Sequence, residues 1–334
     1  MMVTSSKNIS IQSLNKQHGR PPEVSVVMPV YNGARTLMES VDSVLKQTYR
    51  DFELIICNDA STDKTGDILD SIRDDRVRVL HNPVNSGQGL SRDRAIESAR
   101  GAWAAVIDAD DAWAPERLEV LLKEADAPSR IIFDDIWECH DTPSGMIPWR
   151  VMRGKRAFSG NGKDAVEVPT ADFVCEKRLL IKPLFPVEIV RRHRISHGSR
   201  PFAEDTEFFL TLLAHGLQIR YVPGAMYYYR ITPGSMSGQV KRSGLMREVL
   251  ENAVTQFEHA PSVQNALREK IAGIVRDEHY TSFILALRRK EVIKSLRFAY
   301  QFPWVIPKLF SFMPERAGYH IHRILHGGRA RGTR

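Results

Sequence analysis

Three carboxylates stand close together in the sequence, directly after an apolar run. Asp108, Asp110 and Asp111 follow WAAVI (Trp103–Ile107), which has the length of a buried strand. Such carboxylates repel one another unless a positive charge lies between them, and hard oxygen ligands favour Mg²⁺ or Mn²⁺ over zinc. A metal ion held by one or two carboxylates usually completes its coordination with phosphate oxygens. The alternative is a solvated acidic loop that caps a helix beginning at Pro115, and the residues alone leave both interpretations open.

A fourth carboxylate, Asp59, comes just after a second apolar run, FELIIC. A carboxylate in this place is able to accept a hydrogen bond from an N–H of a flat heterocycle, and Pro29 and Tyr31 offer a wall for the face of that ring. The alternative is that Asp59 caps the next helix, although the hydroxyl side chains that follow it are also able to do so.

A segment that contains glycine and arginine, NSGQGLSRDR, spans residues 85–94. It is not the GxGxxG fingerprint of a dinucleotide-binding domain, because its spacing differs and it does not follow the first strand, and the sequence contains no GxxxxGK[ST] loop. Arg92 and Arg94 lie near a predicted helix start, where they are able to face diphosphate oxygens. The alternative is that they are surface arginines paired with acids of the helix.

The histidines and cysteines do not indicate a metal centre. His193 and His197 lie four residues apart, but without an HExxH pattern, so surface positions are expected for both. His320 and His322 lie in a basic C-terminal segment and are expected to be solvated. The three cysteines share no CxxC spacing, so we expect neither a disulfide framework nor a zinc cluster, and a reducing cytoplasm is the expected compartment.

An alternation of apolar runs and helical patterns predicts the elements that position these residues. Strands that are apolar throughout and separated by helices are buried on both faces, as in a parallel, doubly wound α/β sheet. Ligands bind beyond the carboxyl ends of such strands, so Asp59 and Asp108 are expected at one edge. The predicted strands are 24–28, 52–57, 77–80 and 103–107, and the predicted helices are 34–47, 62–72, 89–99 and 115–122.

The pattern changes after Pro128. Residues 131–175 mix short apolar runs with glycine and proline, which is typical of irregular or antiparallel structure. Further on, a helix is predicted at 206–215, strands at 219–222 and 226–230, and helical structure from 244 to 289.

Composition and charge exclude several classes of protein. Of the 334 residues, 43% are hydrophobic and 26% are charged, which excludes a wholly disordered chain. No run is long and apolar enough for a membrane-spanning helix, and the first twenty residues lack the apolar region of a signal peptide. The net charge of +7 belongs to the C-terminal part, since residues 287–334 contain eleven Lys or Arg and two Glu. A nucleic-acid enzyme would more often spread positive charge along a groove, so no nucleic-acid partner is expected.

Residues 24–111 resemble the family 2 glycosyltransferases, which are inverting, nucleotide-sugar-dependent enzymes with the GT-A fold. The resemblance rests on four blocks in the right order and spans residues 23–238. The blocks are VSVVMPVYNGARTLMESVDSVLKQTYRDFELIICNDASTDKT, NSGQGLSRDRAIESARG with AVIDADD, FAEDTEFFLTLLAHGLQIRYVP, and YYYRITPGSMS.

The resemblance implies roles for individual residues. Asp59 would bind the uracil of a UDP-sugar, beside the Pro29–Tyr31 backbone. Asp108 would face the ribose and diphosphate, and Asp110 would bind a divalent ion, Mn²⁺ or Mg²⁺. For the acceptor, Asp205 would be the catalytic base, and Glu204 would position the acceptor. By themselves, these last two residues are more simply an acidic pair that favours a helix start. The remaining residues expected to bind the nucleotide-sugar are Arg92 and Arg230.

Two positions depart from the pattern of the family. Asp93 follows Arg92 where the family often has Asn, and Thr232 stands where many relatives have a histidine that binds metal. Threonine is a poor replacement for that ligand, so substrate and water are expected to hold more of the metal ion.

The resulting domain prediction divides the chain into three parts. Residues 1–22 are a disordered lead-in, 23–240 the GT-A domain, and 241–334 a helical extension with a basic tail. Within the domain, 23–127 form the nucleotide-sugar half and 128–240 the acceptor half. The tail carries aromatic residues among its basic ones, which indicates an anionic membrane surface as a partner.

The predicted function is transfer of a hexose from a UDP-sugar to a glycan acceptor, expected to be lipid-linked, in exopolysaccharide or surface-polysaccharide synthesis. The predicted location is the cytoplasm, with peripheral binding to the inner face of the cell membrane. One alternative is a sugar nucleotidyltransferase, although PVYNGAR lacks the glycine-rich basic loop usual for those enzymes. The other is a non-catalytic protein of the same fold that binds nucleotide-sugars.

Overall fold

The structure of the protein is a computed structural model, and it describes residues 20–142, 145–152, 158, 162–176, 178–231 and 239–307. The chain divides into two compact units. The first contains Met1–Ser237 and Glu248–Leu267, and the second contains Gly238–Arg247 and Arg268–Arg334. Three predictions lie outside the described residues: the lead-in over 1–19, the departure at Thr232 and the basic tail beyond 307. The predicted domain boundary after residue 240 stays a prediction.

The first half of the chain alternates strands with helices, as predicted. The predicted strand and helix bounds agree with the observed ones to within a few residues. In chain order the elements are β1 (Val24–Val30), α1 (Leu37–Leu45), β2 (Phe52–Asn58), α2 (Thr65–Ser71), β3 (Val77–His81), α3 (Gln88–Glu97), β4 (Trp103–Val106), β5 (Ala112–Trp113) and α4 (Arg117–Leu122).

The second half contains longer strands and then helices. In chain order the elements are β6 (Arg130–Thr142), β7 (Gly145–Val151), β8 (Val166–Val168), α5 (Thr170–Cys175), β9 (Leu184–Pro186), α6 (Val187–His193), α7 (Glu204–Ala214), β10 (Gln218–Ile231), α8 (Gln239–Gln256), α9 (Pro261–Arg288) and α10 (Val292–Gln301).

The described strands form one mixed sheet in the order β3-β2-β1-β4-β9-β6-β10-β5. Its first four strands are parallel, whereas β9 runs antiparallel to both β4 and β6. Every residue of β1, β2 and β4 is buried, because the sheet is covered on both faces. The predicted α/β fold is therefore confirmed, but the sheet is parallel only in part: four of its strand pairings are parallel and five are antiparallel. The antiparallel structure expected after residue 130 is the pair of β6 and β7.

Strand β10 corrects one prediction. The sequence analysis predicted two strands, 219–222 and 226–230, with Pro223 and Gly224 between them. The structure has one strand beside β6, with register shifts between Val222 and Ala225 and between Ala225 and Tyr227. Gly224 takes a φ of +122°, which a bulge accommodates and most other residues avoid. The two predicted strands are therefore one strand, and a β-bulge accommodates the residues between them.

The region from 244 to 289, predicted to be helical, also differs from the prediction in detail. It contains two helices, because Pro261 begins α9 after a short break behind α8. None of the described helices is both long and apolar enough to span a membrane.

Substitution of Gly101 tests the close packing of the sheet. A Cβ atom at Gly101 would lie 2.6 Å from the backbone nitrogen of Ser25 and 2.7 Å from the carbonyl carbon of Val24. Because backbone atoms are unable to move aside cheaply, Gly101→Ala should destabilise the protein by about 1–3 kcal/mol in urea unfolding. The matched control is Gly273→Ala in α9, whose nearest neighbour is the end of a flexible arginine at 3.9 Å. There we expect a gain of up to about 1 kcal/mol, and equal losses at both positions would contradict this packing.

Candidate active site

A cleft of about 350 Å³ opens at the carboxyl ends of β1, β2 and β4. This is the edge at which the sequence predicted a ligand site. Of the predicted site residues, Pro29, Tyr31, Asp59, Asp108 and Asp110 line the cleft together, and half of the Tyr31 side chain is exposed. The other lining residues are Val30, Asn32, Gly33, Arg35, Thr36, Gln88 and Ala109.

Asp59 stabilises the turn that precedes α3 through hydrogen bonds. Its Oδ1 accepts hydrogen bonds from Asn82 Nδ2 at 2.8 Å and from the backbone N–H and hydroxyl of Ser86 at 2.9 Å, and its Oδ2 accepts one from Gly87 N–H at 2.8 Å. Burial raises the pKa of Asp59, but these hydrogen bonds outweigh it and hold the pKa below its usual range. Asp59 therefore does not cap the helix after β2, and Oδ2, with one donor, remains available to a ligand.

The three acidic residues after β4 have different surroundings. Asp108 lies in ion pairs described below. Asp111 is fully buried and accepts hydrogen bonds from Tyr227 Oη at 2.6 Å and from the backbone N–H of Arg230 at 2.9 Å. Asp110 is exposed, and among the described residues its carboxylate is hydrogen-bonded only to its own backbone N–H. The alternative interpretation, a solvated acidic loop, is therefore wrong for Asp111, which is buried. It agrees with the structure only at Asp110, which is exposed.

Two buried cations tie the acidic loop to the start of α7. Arg92 donates from Nη2 to Asp108 Oδ1 at 2.6 Å, and from Nη1 to Glu204 Oε1 at 3.1 Å and to Asp205. Lys182 Nζ donates to Asp108 Oδ2 at 2.6 Å and to Asp205 Oδ2 at 3.2 Å. Both cations are 2% exposed or less, so this five-residue ionic cluster is largely shielded from water.

The charges of this cluster determine the protonation of its carboxyls. Burial raises the pKa of Asp108 and Asp205, but the adjacent charges of Lys182 and Arg92 outweigh it and hold both values below the usual range. Both carboxylates are therefore ionised at neutral pH. The pKa of Asp110 is raised above its ordinary value. The larger cause is that the surrounding protein removes water from the carboxylate, and the second is the negative charge of Asp108.

Two predicted nucleotide-binding arginines lie outside the cleft lining. Arg92 is beneath the carboxylates, where its terminal nitrogens bind three acids instead of facing open space. Arg230 is also buried: it donates from Nε to the carbonyl oxygen of Asp110 at 2.6 Å and pairs with Glu39 and Asp141. In this arrangement Arg230 supports the backbone of the acidic loop, and its contact with a diphosphate stays a prediction.

Sequence reasoning missed Lys182 and misjudged His197. Lys182 interrupts the apolar run LLIKPLF, and a lone charge in such a run signals a buried, paired cation. His197 was expected at the surface, but it is 2% exposed, because its ring stacks on Phe208 at a centroid distance of 3.9 Å. His197 lies in the ten-residue loop between α6 and α7, RISHGSRPFA, which has no regular apolar spacing, so the sequence gave no sign of this burial. His193 is exposed, as expected.

Asp110 is the residue that fits a divalent metal ion. Within the described ranges, no three His, Cys, Asp or Glu side chains come together as a ready-made metal site. The oxygens of Asp108 and Asp111 are engaged by other residues, whereas Asp110 lines the cleft and, among the described residues, its carboxylate is bonded only to its own backbone N–H. One hard carboxylate suits an ion that takes its other ligands from phosphate and water.

Comparison with known proteins agrees with this fold. Residues 25–182, just under half of the chain, match the family model described as Glycosyl transferase family 2. The resemblance stated from the sequence motifs is therefore confirmed, and so is the class of enzyme.

Two relatives and one solved structure illustrate the similarity. The chain is 25% identical to the succinoglycan biosynthesis protein ExoO of Rhizobium meliloti, over 91% of this chain and 89% of ExoO. It is 39% identical to the UDP-Glc:alpha-D-GlcNAc-diphosphoundecaprenol beta-1,3-glucosyltransferase WfgD of Escherichia coli, over 29% of this chain and 38% of WfgD. The crystal structure of S. aureus TarS 1–349 in complex with UDP-GlcNAc has a TM-score of 0.62 at 20% identity, over 85% of this chain and 82% of that one. This last likeness confirms the predicted GT-A fold.

Replacement of Lys182 tests the ionic cluster. Lys182→Met leaves Asp108 and Asp205 with one cation fewer, so the free energy of unfolding should fall by about 3 kcal/mol at pH 7 in urea unfolding. Because the lysine charge lowers the pKa of both carboxyls, its loss raises both pKa values. The deficit should therefore be largest where both are ionised and should shrink only as the pH falls through the raised pKa values of the variant, toward and below the ordinary aspartate value of about 4.

The matched control is Lys46→Met, which breaks an ion pair whose side chains are 71% and 51% exposed. It should cost less than about 0.5 kcal/mol. Equal stabilities of the two variants, or a deficit of Lys182→Met that does not change between pH 7 and about pH 3, would contradict the cluster.

Proposed function

We propose that this glycosyltransferase transfers a hexose from a UDP-sugar to a hydroxyl of a glycan acceptor, with inversion at the anomeric carbon. The observation that carries the proposal is that Asp59, Asp108 and Asp110 line one cleft while Arg92 and Lys182 join Asp108 to Asp205. Groups suited to a nucleotide, a diphosphate and an acceptor hydroxyl are thus fixed relative to one another.

The nucleotide end of the cleft suits a uracil. Asp59 Oδ2 has a single donor, Gly87 N–H, so it is able to accept a second hydrogen bond from a ring N–H. Pro29 and the half-exposed Tyr31 line the same cleft and supply an apolar wall for the base. Asp108, which lines the same cleft, would face the ribose and diphosphate of the donor.

The diphosphate end suits a divalent metal ion, Mn²⁺ or Mg²⁺. Asp110 would hold the ion together with diphosphate oxygens and water. When bound, the ion neutralises the negative charge that grows on the departing diphosphate. Arg230 holds the Asp110 carbonyl, so it keeps this carboxylate at the cleft.

Asp205 is the proposed base. It is ionised at neutral pH, because Arg92 and Lys182 depress its pKa. In the proposed step the acceptor oxygen attacks the anomeric carbon as its proton passes to Asp205. The new oxygen–carbon bond forms as the bond from that carbon to the diphosphate breaks on the opposite face, and UDP leaves. Glu204, bound to Arg92 and Gln88, borders the side where the acceptor would lie.

The printed descriptions of the relatives support the substrate class. WfgD is described by a UDP-Glc donor and a diphosphoundecaprenol-linked acceptor, and ExoO by succinoglycan biosynthesis. TarS was crystallised with UDP-GlcNAc. We propose by extension that the acceptor is a lipid-linked glycan and that the pathway makes an exopolysaccharide or a surface polysaccharide.

Release of UDP from a panel of UDP-sugars, with a lipid-linked acceptor extract and Mn²⁺, tests this function. Wild-type protein should release acceptor-dependent UDP, and a chelator should abolish the release until Mn²⁺ is restored. Asp110→Ala should lose at least 100-fold in turnover because the ion loses its protein ligand, and Asp205→Asn a similar amount because the base is gone. The control is Asp75→Ala, an exposed residue before β3 at the opposite edge of the sheet, which should keep full activity.

Calorimetric titration with UDP separates binding from turnover. Asp205→Asn should bind UDP like the wild type, since the substitution lies outside the cleft lining. Full activity of Asp205→Asn would make the base assignment wrong. UDP binding by the wild type without turnover of any donor would instead favour a non-catalytic protein.

We also propose that α10 binds an anionic membrane surface. Ile293, Leu296 and Tyr300 recur at three- and four-residue spacing on one face of α10, and they are 86%, 66% and 92% exposed. Lys294 and Arg297 are exposed on the same helix, in the strongly basic part of the sequence. An apolar stripe beside basic residues is the pattern of a helix that lies in the headgroup region. This would keep the enzyme at the membrane face where a lipid-linked acceptor resides.

Sedimentation with vesicles tests the membrane proposal. The wild type should bind phosphatidylglycerol-rich vesicles and bind phosphatidylcholine vesicles weakly, and the binding should fall with salt. Ile293→Asp should weaken the binding about tenfold, because a buried isoleucine contributes about 1.5–3 kcal/mol. The control is Val84→Asp, since Val84 is 67% exposed and belongs to the first unit. Equal binding of the two variants would disprove the role of α10.

A further inference from the structure

Gln88 connects the cleft to the start of α7. It is the first residue of α3, and it lines the cleft together with Asp108 and Asp110. Its Nε2 donates a hydrogen bond to Oε1 of Glu204, the first residue of α7, at 2.5 Å. Of the described lining residues, only Gln88 is hydrogen-bonded directly to α7. The amide of Gln88 therefore lies at the boundary between the cleft and the acidic pair of Glu204 and Asp205.

The contact with Glu204 fixes the orientation of the amide. A carboxylate accepts hydrogen bonds, so the NH₂ group of the amide lies against Glu204, and the carbonyl oxygen Oε1 takes the other position. No described residue donates a hydrogen bond to this Oε1, and the second N–H of Nε2 has no acceptor among the described residues. Gln88 therefore retains one acceptor and one donor for a ligand in the cleft that it lines.

The two ends of the proposed reaction limit where the transferred hexose lies. Its anomeric carbon is bonded to the diphosphate, which is proposed to lie at Asp110, and is attacked by the hydroxyl that Asp205 deprotonates. The hexose must therefore lie between Asp110 and the start of α7. Asp108 and Gln88 are the lining residues linked to that helix, Asp108 through the buried cations. Both oxygens of Asp108 are already bound by those cations, whereas Oε1 of Gln88 has no described donor.

We propose that Gln88 determines donor specificity, and that its Oε1 accepts a hydrogen bond from a hydroxyl of the hexose in the UDP-sugar. The inference rests on the proposed function, because it takes Asp110 and Asp205 as the two ends between which the hexose lies. Hexoses differ in the orientation of their hydroxyls, and a fixed acceptor stabilises only the donor whose hydroxyl points toward it. The hydrogen bond to Glu204 supplies this fixed position.

Calorimetric titration with UDP-sugars, in Mg²⁺ and without acceptor, tests this contact. UDP-glucose, UDP-galactose and UDP-GlcNAc are compared first, and the tightest binder is then replaced by its monodeoxy analogues, each of which lacks one hydroxyl. In the wild type, loss of the hydroxyl bound by Gln88 should weaken binding about three- to tenfold, as expected for one hydrogen bond. Gln88→Met has a similar length but no amide, so it should bind that analogue as tightly as the parent sugar.

UDP and a matched control show whether the effect belongs to the hexose. Gln88→Met should bind UDP like the wild type, because UDP lacks the hexose. The control is Gln218→Met, the same substitution at an exposed residue that begins β10. Because β10 runs in the same direction as β4, Gln218 lies at the end of the sheet opposite the cleft. Gln218→Met should therefore keep the wild-type loss for every analogue. Should Gln88→Met not fold, Gln88→Ala replaces it with the same expected result.

The pattern of losses separates this inference from the proposed function. If every deoxy analogue weakens binding equally in the wild type and in Gln88→Met, Gln88 binds no hydroxyl and only holds Glu204 in place, which overturns the inference. In that case the binding of UDP-sugars is unaffected as evidence, and only the assignment of Gln88 fails. If the wild type binds neither UDP nor any UDP-sugar, the proposed function itself fails, and this inference fails with it.

Discussion

The candidate site depends on the attraction between two buried cations and the carboxylates that they join. Arg92 comes from α3 and Lys182 from the segment before β9, whereas Asp108 follows β4 and Asp205 begins α7. Without the cations, the like charges of Asp108 and Asp205 would drive these elements apart in a region with little water to screen them. The same attraction keeps both carboxyls ionised, so one arrangement both assembles the cleft and sets its chemistry.

Asp59 shows how one residue serves both the fold and the ligand. Its Oδ1 is saturated by donors from the turn before α3, including Ser86, and its Oδ2 binds the N–H of Gly87. Gly87 has a φ of +91°, a conformation that glycine adopts without strain, and this φ brings its N–H to the carboxylate. Gly87 therefore stabilises the turn that carries Gln88, a lining residue of the cleft.

Much of the fold was predictable from the sequence, because apolar runs of strand length alternate with helices over residues 23–127. The rule that ligands bind beyond the strand ends placed Asp59, Asp108 and Asp110 at one edge. Contacts between residues distant in the chain were not predictable in this way. Arg92 was interpreted as a diphosphate ligand because local sequence does not reveal three acids from other segments. Asp93 was noted only as a departure, since its partner His197 lies about a hundred residues away.

The bulge in β10 limits how the number of residues in this strand can change. Side chains of a strand alternate between the two faces, so the number of residues between Val222 and Tyr227 decides which face each later side chain occupies. Loss or gain of one residue at Gly224 would turn the Tyr227 hydroxyl away from Asp111. It would also move Arg230, which binds the backbone of the acidic loop, to the other face of the sheet. Related sequences that keep this loop supported should therefore differ in length at the bulge by even numbers of residues.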